Sequence, residues 1–350
     1  MANPQFSTQA LAELRCSLLA WYDQHRRDLP WRRTSDSYAI WISEIMLQQT
    51  RVAAVVERYE VFMRNFPTVL SLAHAAEQDV LALWSGLGYY RRARMLHEAA
   101  KAVAGEMDGK LPGTAAGLRG LPGIGPYTSA AIASIAFGEA VAVVDGNVER
   151  VVQRLAGWGS DSTAGQATLA RTTDSLASTL LDPHRPGDHN QAMMELGATI
   201  CIPRAPLCLQ CPLQRFCATQ GEHPTAPRAK MRSEVVGYAL ILRLLKEIPE
   251  ILLYQRATEL TVMPGMWELP RLRDTDFPDS ELRMTVRHAI MQVNYSVRIR
   301  TVSEDDTDAL TMPSVVSRWL PLSDVNTLPL TGLARKVLRS ARLSGLAAAQ

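Results

Sequence analysis

The chain has 350 residues, of which 47% are hydrophobic and 21% charged, and a formal net charge of +2. That length exceeds one ordinary core and suits two domains, and the composition excludes a wholly disordered chain. No apolar run approaches the ~20 residues that a membrane span needs. The near-neutral charge means that any nucleic-acid face is a local patch, and the opening residues MANPQFSTQ lack the pattern of an export signal, so the expected compartment is the cytoplasm.

Residues 7 to about 220 read as helices. Leu11, Leu14, Leu18, Leu19 and Tyr22 share one face behind Ser7, which is placed to cap a first helix. Cys16 lies in the same segment and is expected to be a buried apolar residue. WISEIMLQQTRV (41–52) sets Glu44 among Ile40, Trp41, Ile45 and Leu47. A carboxyl in such surroundings has a raised pKa and keeps its proton at neutral pH. Val52, Val55, Val56, Tyr59 and Phe62 continue the helical period.

WSGLGYYRRARML (84–96) joins Leu87 and two tyrosines to Arg91, Arg92 and Arg94. This composition suits stacking on bases and pairing with phosphates, and equally a helix with a buried aromatic edge and a solvated basic face. In LPGIGPYTSAAIASIAF (121–137), Gly123 and Gly125 permit positive φ and close backbone approach. The free N–H groups of a helix starting near Tyr127 and Thr128 make an anion site for one phosphate. Asp145 follows 20 residues after Gly125, in VDGNVERV, and alone reads as a turn or N-cap residue.

Four of the five cysteines crowd into one loop, spaced Cys201-x6-Cys208-x2-Cys211-x5-Cys217. The odd total and tight clustering favour metal ligation over disulfides. Four thiolates on one short loop surround either an iron–sulfur cubane or a structural zinc ion. Arg204 and Arg215, inside the loop, suit phosphate contacts or solvated charges alike.

The character changes at HPTAPRAKMRSE (223–234), a polar, proline-bearing linker. VVGYALILRLL and ILLYQR then read as strands around the turn KEIPE. Val293, Tyr295, Val297 and Ile299 alternate with polar residues, as in a half-buried strand. LTGLARKVLRSARL reads as a basic amphipathic helix. The expected architecture is an all-α domain over 1–222, then a smaller α+β domain over 235–350.

The cysteine spacing resembles the four-iron, four-sulfur loop of the endonuclease III superfamily of DNA repair enzymes. The Gly-rich turn followed by Asp145 resembles that superfamily's helix-hairpin-helix and catalytic aspartate. Members that also cut the DNA backbone carry a lysine at the position of Tyr127. Tyrosine cannot form an imine, so the resemblance narrows to the monofunctional adenine glycosylases, the MutY family. WISEIMLQQTRV is similar to the MutY segment holding the catalytic acid.

The resemblance implies one [4Fe-4S] cluster on Cys201, Cys208, Cys211 and Cys217. It implies a monomer acting on double-stranded DNA at adenine opposite 8-oxoguanine or guanine. It gives Glu44 the role of acid, Asp145 that of cation stabiliser or covalent trap, and Tyr127 and Asn147 supporting roles. Gln49 and Tyr89 match the intercalating pair, with Leu87, Arg91, Gly123 and Gly125 also on DNA. Arg27, Trp31, Arg32 and Leu47 match the adenine pocket, while Gln191 stands where the family often has a carboxylate. VMPGMWELPR (262–271) resembles a MutT-like domain that lacks the acidic run of a pyrophosphate hydrolase. In its opposite-base loop His288 remains, but Met291 and Gln292 replace a serine and a histidine. The rival readings are an endonuclease III-like glycosylase-lyase for damaged pyrimidines and a non-enzymatic iron–sulfur DNA-binding protein. Tyr127 opposes the first, and the joint presence of Glu44 and Asp145 opposes the second.

Overall fold

A computed structural model describes residues 6–158, 166–223, 230–260, 262–273, 277–290, 292–306, 310–311, 316–341 and 343. The chain divides into two units, Met1–Ala73 with Glu98–Pro227, and His74–His97 with Arg228–Gln350.

The first unit is helical. α1 (Thr8–His25) begins where the Ser7 hydroxyl accepts the Ala10 N–H at 3.2 Å, and it buries Leu14, Leu18, Leu19 and Tyr22. Cys16 is exposed rather than buried, because it stands off that stripe. α2 (Ser37–Leu47) is buried from Tyr38 to Met46. Its exposed cap, Asp36, accepts the N–H groups of Tyr38 and Ala39, both at 3.2 Å. α3 (Val52–Asn65) turns Val55, Tyr59 and Phe62 inward.

The helices that follow are α4 (Val69–His74), α5 (Glu77–Leu83), α6 (Arg91–Glu106), α7 (Ala115–Leu118), α8 (Pro126–Phe137), α9 (Gly146–Ala156), α10 (Gln166–Leu180) and α11 (Pro186–Thr199). α11 packs on α1, α8 and α9, and α2 packs on α3 and α8. Leu14, Leu18, Val148, Val152, Leu176 and Leu196 form the core joining α1, α9, α10 and α11. Glycine lets α11 come close at Gly197: a Cβ there would lie 2.7 Å from the Asn147 Cβ and 2.9 Å from the Asn147 carbonyl oxygen.

The second unit holds two sheets. β1 (Arg232–Leu240), β5 (Arg271–Leu272), β6 (Leu282–Ile290), β7 (Val293–Thr301) and β8 (Leu310–Thr311) form one, in the order β6-β7-β1-β5-β8. β1 runs parallel to β7, and the other pairs are antiparallel. In the other sheet, β3 (Ile248–Gln255) pairs with β2 (Leu242–Leu245), β4 (Trp267–Glu268) and β9 (Ser317–Pro321). α12 (Gly332–Ser340) covers them with Leu333, Ala334, Val337 and Leu338, against Val236, Leu240, Ile251, Val297 and Ile299. The alternation read at 293–299 thus places Val293, Val297 and Ile299 in the interior. The turn between β2 and β3 is tighter than KEIPE, with only Lys246 and Glu247 at positive φ.

Two boundaries differ from the sequence reading. Arg232–Glu234, expected in the linker, already belong to β1, while 224–229 lie outside the described residues. His74–His97, expected within the helical domain, groups with the sheet unit. Ser85 and Tyr90 there donate hydrogen bonds to the Leu330 carbonyl.

Because Asp36 alone supplies side-chain acceptors at the start of α2, Asp36→Ala is expected to lower unfolding stability by about 1 kcal/mol. Chemical denaturation of the two proteins measures the difference.

Candidate active site

α2, α8, α9, α11 and the single turn Pro30–Arg32 line a cavity of about 210 Å³. Glu44, Tyr127, Asp145 and Asn147 face it, as do Arg27, Trp31, Arg32 and Leu47. Residues separated by up to 120 positions in sequence, from Arg27 to Asn147, thus meet around one space on the scale of a single planar base.

Glu44 is 5% exposed. Burial raises its pKa to about 7, helped by the nearby Asp145 and opposed by the Tyr127 hydrogen bond and the Arg32 charge. The Tyr127 hydroxyl donates to Glu44 Oε2 at 3.0 Å. Burial and the two carboxyl groups hold the Tyr127 pKa well above its usual value, so the phenol remains a donor. With Oε2 engaged as an acceptor, Oε1 is left to carry the carboxyl proton.

Asp145 caps α9. Its Oδ1 accepts the N–H groups of Asn147 and Val148 at 2.9 and 2.7 Å, and its Oδ2 accepts the Asn147 side-chain amide at 3.0 Å. The N-cap reading of Asp-Gly-Asn therefore holds at a residue that also lines the cavity. The cap fixes the carboxylate at the lip of the cavity, where the α9 N-terminus supports negative charge. Asn147 Oδ1 in turn accepts Arg150 Nη2 at 2.8 Å, and Arg150 Nε donates to the Cys201 carbonyl at 2.8 Å.

Glu195 also lines the cavity, and sequence reasoning missed it. Its side chain is 1% exposed and accepts Arg27 Nε at 2.6 Å and Arg32 Nη2 at 2.9 Å. Burial pushes the Glu195 carboxyl up, but the two guanidinium groups outweigh it and the net shift is downward. Glu195 stands one turn after Gln191 on α11. Gln191 lines the same cavity.

The DNA-facing candidates separate. Gln49 and Tyr89 are both exposed and both adopt the left-handed region, at φ of 54° and 48°. Non-glycine residues rarely do so, and such strain concentrates at functional sites. Leu87, in contrast, is 5% exposed, which corrects its placement on DNA: its side chain packs inward. Of the basic cluster, Arg91 is exposed. Arg92 donates to the Leu87 and Gly88 carbonyls, and Arg94 to Glu77 and the Pro264 carbonyl. Gly123 has a φ of 74°, but Gly125 keeps an ordinary φ of −88° as N-cap of α8, which starts at Pro126 rather than Tyr127. A Cβ at Gly125 would meet nothing within 4 Å, so the helix N-terminus is open to an anion.

The four loop cysteines line one cavity of about 30 Å³ with Arg154. Arg154 is 2% exposed, and its Nη1 donates to Cys201 Sγ at 3.2 Å. Its Nε has no partner, and among the described residues it forms no ion pair with a carboxylate. A buried cation so placed fits a negatively charged thiolate assembly. Burial raises Cys211 to about 11 and also raises Cys217. Among the described residues no three His, Cys, Asp or Glu side chains converge on a single metal ion. The four cysteines nevertheless line one common cavity, and such a donor set suits a metal group. Arg204 and Arg215 are both exposed.

In the sheet unit, His288 pairs with Tyr295 across β6 and β7 and lines a cavity of about 370 Å³ with Tyr238, Arg256 and Glu268. Burial lowers its pKa, with Lys336 acting in the same direction. Gln292 sits in the β6–β7 turn, and Met291 lies outside the described residues.

Residues 42–173 match the model of the HhH-GPD superfamily of base excision DNA repair proteins. A thermostable thymine-DNA glycosylase superposes with a TM-score of 0.55 at 31% identity, covering 59% of this chain and 95% of that one. An endonuclease III–DNA covalent intermediate shares the fold at 20% identity and a TM-score of 0.51, over 61% of this chain and 96% of its own. The chain belongs to the HhH-GPD superfamily of base excision DNA repair proteins.

Within that superfamily, the relatives it is similar to include adenine DNA glycosylases. It is 51% identical over 212 residues to the human Adenine DNA glycosylase, spanning 58% of this chain and 38% of the relative. Against the Adenine DNA glycosylase of Mycolicibacterium smegmatis it is 44% identical over 197 residues, spanning 56% and 66%. The chain spans about two-fifths of the first mammalian relatives that it matches.

The folded chain holds the Glu44 proton up to about pH 7, while the unfolded chain releases it near 4.5. Folding stability is therefore expected to fall by roughly 3 kcal/mol as pH rises between those values. Glu44→Gln removes that slope. Its melting temperature should match the parent near pH 4.5 and exceed it increasingly toward pH 7.5, as read by calorimetry.

Proposed function

We propose that this chain is a monofunctional adenine DNA glycosylase that works as a monomer on double-stranded DNA. Its substrate is adenine mispaired with 8-oxoguanine or guanine, and its place of action is the cytoplasm, on the nucleoid. The observation that carries the reading is one proton-bearing carboxyl, Glu44, facing a second carboxyl, Asp145, across a base-sized cavity. The adenine glycosylase relatives support the choice of base.

The chemistry follows from the two acids. Adenine leaves poorly until N7 is protonated, and Glu44 gives up its proton there. The C1′–N9 bond then breaks with its electron pair on the base. The sugar becomes an oxocarbenium-like cation, which the Asp145 carboxylate stabilises or traps at C1′. Glu44, now ionised, takes a proton from water as the hydroxyl adds to C1′, and where the sugar was trapped the Asp145 carboxylate leaves C1′ with its bonding pair. Tyr127 donates to Glu44 throughout and offers no amine for a lyase step. The four loop cysteines hold one [4Fe-4S] cluster, whose role is to brace the loop that carries Arg204 and Arg215. The sheet unit reads the opposite base through the turn near His288.

Single-turnover excision from adenine opposite 8-oxoguanine, guanine and thymine tests the function. Glu44→Gln and Asp145→Asn are expected to reduce adenine release at least ~100-fold, and normal rates in both would refute the mechanism. The parent rate should fall as pH rises through about 7, where Glu44 loses its proton. Purified protein should be yellow-brown and carry iron, whereas stoichiometric zinc without iron overturns the cluster. DNA affinity should drop steeply with salt, because phosphate contacts release counterions.

A further inference from the structure

The turn that carries Tyr89 is fastened at both ends to one backbone carbonyl of the sheet unit. Ser85 Oγ lies 3.2 Å and the Tyr90 hydroxyl 3.1 Å from the Leu330 carbonyl oxygen, and the two hydroxyls are 3.4 Å apart. Ser85 and Leu330 are fully buried and Tyr90 is 4% exposed. The carbonyl is itself fixed: Trp267 N–H donates to the Pro329 carbonyl and Thr331 N–H to the Trp267 carbonyl, both at 2.9 Å. Thr331 then caps α12.

Between the two anchors the chain turns through Gly86 and Gly88, at φ of 101° and 70°, and delivers Tyr89 in the left-handed region, 55% exposed. Arg92 holds the inside of the turn. Its Nη2 donates to the Leu87 and Gly88 carbonyls at 3.1 and 3.2 Å, and its guanidinium lies 5.3 Å from the Tyr89 ring centroid and 5.5 Å from that of Trp84. A strained backbone persists only where its surroundings over-determine it. Here the surroundings come from the segment just before α12, some 240 residues away in sequence.

We propose that Tyr90 and Ser85 are positioning residues for base extrusion, holding the Tyr89 turn on the Leu330 carbonyl in its wedge shape before DNA arrives. The inference rests on the reading of Tyr89 as the wedge. A preformed wedge loses no conformational freedom as it enters the stack, so its benefit is largest where leaving the stack is hardest. The sheet unit thereby takes part in opening the duplex as well as in reading the opposite base.

The test uses the full chain and two duplexes, one with adenine opposite guanine and one with adenine opposite a tetrahydrofuran abasic analogue. The readout is the ratio of the two single-turnover excision rates, together with 2-aminopurine fluorescence at the target position. Ser85→Ala combined with Tyr90→Phe should lower the paired-to-unpaired ratio about 10-fold and reduce the fluorescence rise, and Tyr90→Phe alone about 3-fold. Tyr90→Phe keeps the buried ring, so it decides the matter if the double variant does not fold. Equal loss on both duplexes marks a merely structural role and overturns the proposal. If Tyr89→Ala lowers the ratio while Tyr90→Phe and the double variant leave it unchanged, the proposal fails and the wedge reading stands. An unchanged ratio in Tyr89→Ala removes the wedge reading and the proposal with it.

Discussion

A carboxyl group keeps its proton at neutral pH only while water and positive charge are kept from it. That constraint organises the helical unit. α2 is buried on nearly every face so that Glu44 has no route to solvent except through the cavity. Two arginines stand at the same cavity, and unpaired they would draw the proton off. Glu195 holds both, so their charge is largely answered before it reaches Glu44. Tyr127 supplies a hydrogen bond without a charge. The Asp145 carboxylate adds the remaining push toward the protonated form. The acid and its neighbours are therefore one electrostatic unit, and replacing any of these partners alters the state of Glu44 as well as the shape of the pocket.

Much of this was legible in the sequence where the chemistry is local. The four cysteines sit within 17 residues, and Asp145 caps the helix that follows it directly. Glu44 was legible because its apolar neighbours in sequence are also its neighbours in the fold. Glu195 and Arg150 were not, since Glu195 binds Arg27 and Arg32, more than 160 positions away, Arg150 reaches the Cys201 carbonyl 51 positions on, and no period announces either. Arg154 did leave a signal. It falls on the stripe of Val148, Val151, Val152 and Leu155, and a cation on an apolar face asks for a buried anion. Leu87 and Cys16 were misread for a related reason: a residue's face is fixed by what packs over it, and flanking composition does not reveal that.

The fate of residues 74–97 shows the same limit at the level of domains. The helical reading holds for α5 and the start of α6 but not for the turn at 84–90, and it could not say which core those helices serve. Their membership of the sheet unit is decided by Ser85, Tyr90 and Arg94, each bonded to a backbone carbonyl more than 150 positions away. Domain boundaries drawn from composition follow the order of the chain, whereas packing does not. Gln49 and Tyr89 carry a further mark that sequence could not show, a backbone held against its intrinsic preference.

The absence of a side chain at Gly197 has a reach beyond packing. At that crossing α11 rests on Asn147, the residue whose backbone and amide both hold Asp145. Contact there involves main-chain atoms, so the separation of the two helices does not depend on which rotamer a bulky residue selects. The spacing of α9 and α11 beside Asp145 is thus set by the methyl group that Gly197 lacks.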